Sequence, residues 1–71
     1  MSDKIFLTKL GAKIRKIRKE KNLSLDKLAA LCDYEKANLS RIESGKTNTT
    51  VLTLYTISRV MGVHVCEFFE D

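Results

Sequence analysis

Residues 23–46, LSLDKLAALCDYEKANLSRIESGK, carry two short apolar patterns in tandem. Leu25, Leu28, Ala29, Leu31 and Cys32 keep helical spacing, Asp33 and Tyr34 interrupt it, and Leu39 and Ile42 resume it. Ser24 precedes the first pattern with a hydroxyl that can accept from a free helix N–H, with Lys27 where a capping box would place an acid. Glu35 stands at or near the N-cap of the second, and Gly45 falls at C′, where a left-handed residue ends a helix. Two short helices separated by three or four residues make a helix-turn-helix candidate over about 25–44. The second, from about Lys36 to Ser44, has only two apolar anchors, so most of its surface is left for something other than a core.

On the N-terminal side, Phe6, Leu10, Ile14 and Ile17 form one apolar stripe, with lysines and arginines over the rest. This predicts a helix from about Phe6 or Leu7 to Lys21, followed by Asn22, which tolerates the left-handed conformation. On the C-terminal side, KTNTT (46–50) is a polar loop and Thr50 a candidate cap. Val51, Leu54, Ile57, Ser58 and Met61 keep helical spacing up to Gly62. Val63 to Phe69 is apolar and short. It reads as a helix of one or two turns begun by His64, since a lone strand would have no partner. The expected architecture is all-α, five helices and no strands, in a single domain over 1–71.

A chain of 71 residues builds a thin core, which makes self-association an expectation in its own right. Its formal charge of +4 attracts polyanions, and the charge is uneven: twelve of the 13 basic side chains and six of the nine acidic ones precede residue 47. No apolar run is long enough to span a membrane and the N-terminus lacks a secretory core, so a soluble, intracellular, cytoplasmic protein is expected. Cys32 and Cys66 are far apart with no ligand-spaced companion and read as small, buried, reduced thiols; no metal and no cofactor are expected. The single histidine, His64, has only Glu67 at helical spacing, and with three glycines there is no phosphate-cradling loop. An enzyme is not expected.

IRKIRKEKNLS (14–24), LAALCDYEKANLSRIESGK (28–46) and LYTISRVMGV (54–63) together resemble the Cro/repressor-type (XRE-like) helix-turn-helix regulators over nearly the whole chain. The resemblance implies a compact five-helix, lambda-repressor-like domain that binds double-stranded DNA and regulates transcription. It places base reading on Lys36, Ala37, Ser40 and Arg41, with Asn38 and Glu35 at the margin, and phosphate contacts at Ser24, Leu25, Lys46, Thr47 and Asn48. It pairs Glu43 with Arg18. Lysine suits guanine and alanine a thymine methyl; Arg41 suits either a base edge or a phosphate, and Glu35 reads chiefly as a helix cap. Three positions depart from the family pattern: Leu25, Asp33 and Thr49 stand where Gln, Gly and Pro are usual.

The same resemblance puts a homodimer interface on helices 4 and 5, about 50–70, with Val65, Phe68 and Phe69, and hence a palindromic or nearly palindromic operator. The ending after helix 5 implies regulation through the protein's own concentration. Size and the FFE ending are similar to the controller proteins of restriction-modification systems. An alternative carried by Leu25 and Glu35 is an antitoxin or protein-interaction module of the same fold, with an unidentified protein partner.

Overall fold

The first helix, α1, runs from Asp3 to Glu20 in the computed structural model, which describes residues 3–70. Its described part begins three residues before the apolar stripe does, with Asp3 complementing the positive helix end. None of these first-turn side chains is buried, so no periodicity could reveal them. The remaining elements are α2 (Leu25–Cys32), α3 (Lys36–Glu43), α4 (Val51–Met61) and a short 3₁₀ helix (Val65–Phe69), with no strand among the described residues.

All four α-helices end the same way. Leu23, Tyr34, Lys46 and Val63 each donate an N–H to the carbonyl five residues back, and the residue before each is left-handed: Asn22, Asp33, Gly45 and Gly62. Asp33, at φ 59°, thus fills the turn where the family pattern has glycine. At the N-termini, Ser24 Oγ accepts from the Lys27 N–H at 3.0 Å and Thr50 Oγ1 from the Thr53 N–H at 3.1 Å. Glu35 takes the N-cap backbone conformation of α3, but its side chain makes no capping bond, which corrects the capping role expected of it.

Leu10, Ile14 and Ile17 of α1 meet Leu28, Ala29 and Cys32 of α2, Leu39 and Ile42 of α3, and Leu54, Ile57 and Met61 of α4 in one core. α1 lies on α3, α2 on both α3 and α4, and the 3₁₀ helix closes the bundle against α1 and α4. Phe68 is the closing side chain, with 2% of its surface exposed. It is therefore unavailable to a second subunit, which corrects its assignment to the dimer interface. Phe69 stays half-exposed and stacks on Phe6 of α1, ring centroids 6.1 Å apart. The tail is a 3₁₀ rather than an α-helix, held at its start by the His64 N–H bonding Glu67 Oε2 at 3.1 Å. Cys32 is buried, and burial pushes its thiol pKa up; Cys66 is exposed, contrary to the expectation of two buried thiols.

Candidate nucleic-acid interface

α3 is held by its inner side and by its last residue. Leu39 is fully enclosed and Ile42 nearly so, in one core with Ala29 of α2, whose small side chain is itself buried. At the far end Arg18 of α1 donates from Nε to Glu43 Oε2 at 2.7 Å and from Nη2 to Glu43 Oε1 at 3.1 Å. Its Nη1 donates to the Leu23 carbonyl at 2.8 Å. One guanidinium therefore ties α1 to α3 and to the connection leading into α2. The two side chains retain only 10% and 7% of their exposure, so the pair is an internal brace and not two solvated charges.

With that side fixed, Lys36, Ala37, Asn38, Ser40 and Arg41 are all exposed, as is Glu35 just ahead of them. The side chain of Lys36 reaches back to α2, its Nζ 3.2 Å from Asp26 Oδ1, a partner that residue spacing alone did not reveal. Asn38 turns toward the loop after α3. It shares a shallow cleft of about 180 Å³ with Tyr34, Ile42, Thr47, Asn48, Thr49 and Thr50. Lys46 and Asn48 are exposed and Thr47 half-buried, and the cleft sets Thr47 and Asn48 beside Asn38 of α3. In the same cleft Thr49 Oγ1 is buried without a hydrogen-bond partner.

At the start of α2, Ser24 spends its hydroxyl on the Lys27 N–H and its carbonyl on the Leu28 N–H, which leaves the backbone N–H groups of Leu25 and Asp26 for an anion. Leu25 is half-buried and packs against the core, so its side chain belongs to the bundle and only its backbone N–H is suited to phosphate. Among the described residues no cluster of His, Cys, Asp or Glu can hold a metal ion, and no helix is long and apolar enough to cross a membrane.

Two tandem helices, the second braced from behind with a polar and basic outer side, define a helix-turn-helix domain of the DNA-binding class. The chain belongs to the helix-turn-helix family HTH_3, whose model matches residues 14–68. It is 39% identical over 64 residues to control protein C.MunI of Mycoplasma sp, covering 89% of this chain and 86% of that one. Its structure is similar to the restriction-modification controller protein C.AhdI from Aeromonas hydrophila, with a TM-score of 0.89, 25% identity, and 92% and 98% of the two chains covered. It is similar also to SinR, a master regulator for biofilm formation solved in complex with DNA, with a TM-score of 0.79, 35% identity, and 86% and 98% covered. These relatives are regulators and not enzymes, and the present chain is a DNA-binding transcriptional regulator.

Proposed function

We propose that the protein is a sequence-specific regulator of the controller type, acting in the cytoplasm as a homodimer on a palindromic or nearly palindromic operator. The observation that carries this reading is the division of α3: Leu39, Ile42 and Glu43 are turned inward, and the side bearing Lys36, Ala37, Ser40 and Arg41 is open. Lys36 reads a guanine, Ala37 touches a thymine methyl, and Ser40 and Arg41 reach the bases or phosphates one turn further on. Lys46, Thr47, Asn48 and the first turn of α2 hold the backbone.

For the second subunit, α4 offers Leu52, 71% exposed, and Tyr55, 50% exposed. Tyr55 shares one surface groove with Leu52 and another with Val65 and Cys66, so these residues form a continuous stripe. A two-fold pair built there would present two α3 helices to successive major grooves about 34 Å apart.

Selection of bound duplexes from a random pool tests the reading. An inverted repeat with half-sites about one helical turn apart is expected; an asymmetric single site bound by a monomer would refute the dimer. Lys36→Ala is expected to weaken the selected site by about 1–3 kcal/mol and relax preference at one base pair, measured by titration on single-substitution duplexes. Lys46→Ala is expected instead to weaken all sequences alike and reduce the log–log salt slope by about 0.9. If the two variants behave identically, the division between reading and positioning is wrong.

A further inference from the structure

Asp26 puts a carboxylate on the side of the molecule that faces a polyanion. Its position as the second residue of α2 suits the helix dipole, but that accounts for an acid there and not for its neighbour. The neighbour is Lys36 Nζ, 3.2 Å away across the turn, the ammonium that the proposed function assigns to a base. Both side chains are largely open to solvent, at 72% and 60% exposure, so neither serves the core. An ammonium has three N–H donors, more than the two acceptor atoms O6 and N7 that a guanine edge presents, so the ion pair with Asp26 and a base contact can coexist.

We propose that Asp26 is a specificity-determining residue of the DNA interface. It offsets the charge of Lys36 toward the phosphates of arbitrary DNA, and it keeps the ammonium beside the turn while leaving donors enough for a guanine edge. The inference rests on the reading of Lys36 as a base contact. On a random duplex Lys36 has only phosphates to meet, and leaving Asp26 for them brings little gain. On the operator the ion pair and the base contact coexist. Asp26 therefore lowers non-specific binding more than specific binding, and it is the ratio of the two that selects a site among many competitors.

The test uses the full chain, a random-sequence duplex and the selected operator duplex, titrated across salt with wild type, Asp26→Asn, Asp26→Glu, Lys36→Met and the Asp26→Asn/Lys36→Met double variant. Asp26→Asn is expected to bind the random duplex roughly two- to fivefold tighter, the range of an exposed ion pair. Its salt slope there is expected to steepen by about 0.9, one more phosphate neutralised. Operator affinity is expected to rise less, so that the specificity ratio falls. In the Lys36→Met background the slope change is expected to vanish, and Asp26→Glu is expected to keep the ratio within about twofold of wild type, as the pair re-forms. Thermal unfolding of each variant separates these effects from a damaged fold. An equal shift on both duplexes, or the same slope change with and without Lys36, overturns the proposal and leaves the function standing. Absence of salt-dependent duplex binding by the wild type overturns the function itself, and with it the proposal.

Discussion

Glu43→Ala is expected to cost about 3–5 kcal/mol, enough to unfold much of a domain this small at room temperature, because it strands a buried guanidinium. Arg18 donates twice to the Glu43 carboxylate and once to the Leu23 carbonyl, and the two side chains keep only 10% and 7% of their exposure. With the carboxylate gone, two N–H groups lose their acceptor where water has little access, and α3 loses its connection to α1. The charge, more than the lost bonds, sets the magnitude. Replacing both partners by apolar side chains, Arg18→Met with Glu43→Leu, is therefore expected to recover most of the loss and to settle about 1 kcal/mol below wild type, the remainder being the Leu23 carbonyl left without its donor. Urea unfolding followed by far-ultraviolet circular dichroism at fixed salt measures all three proteins. A cost under about 1 kcal/mol for the single variant would mean that the pair behaves as a solvated surface contact.

That brace shows what residue patterns reveal and what they leave hidden. Leu28 and Ala29 followed by Leu39 and Ile42 have a period that survives a short turn, and with Ser24 and Gly45 at the two ends they define the helix pair from composition and spacing alone. The open side of α3 follows by subtraction. Contacts between elements are different, because they depend on crossing angles that no period encodes. Asp26 and Lys36 lie ten positions apart on separate helices, and only the folded turn sets them 3.2 Å from each other. Phe68 and Phe69 are chemically alike neighbours in a segment too short to have a measurable period. One fills the core and the other lies on the surface against Phe6, a distinction that belongs to the bundle and not to the segment. Likewise the first turn of α1 carries no buried side chain, so an apolar stripe cannot mark its beginning.

Gly11 was invisible for the same reason, and it carries the other large expected effect. A glycine in the middle of α1 reads as a defect of about 1 kcal/mol relative to alanine, so propensity alone predicts that Gly11→Ala stabilises the protein. The opposite is expected. A Cβ built on Gly11 would lie 2.3 Å from the Ile42 carbonyl oxygen and 2.5 Å from that of Glu43, backbone atoms that cannot rotate out of the way. The last turn of α3 would have to withdraw from α1 by about 1 Å, an overpacking cost of about 1–3 kcal/mol or more that the helix-propensity gain does not cover. A net loss of about 2 kcal/mol lowers Tm by roughly 8–16 °C in a domain of this size. Ala12→Gly, on the exposed side of the same helix, supplies the control. It is expected to cost about 1 kcal/mol through propensity alone and to leave α3 in place. The two substitutions therefore differ most in DNA affinity measured well below Tm. Gly11→Ala moves the end of the helix that holds Arg41 and the Arg18–Glu43 brace, and operator binding should weaken even in the molecules that remain folded. If Gly11→Ala raised Tm, α1 and α3 would not approach backbone to backbone, and the placement of α3 would need another support.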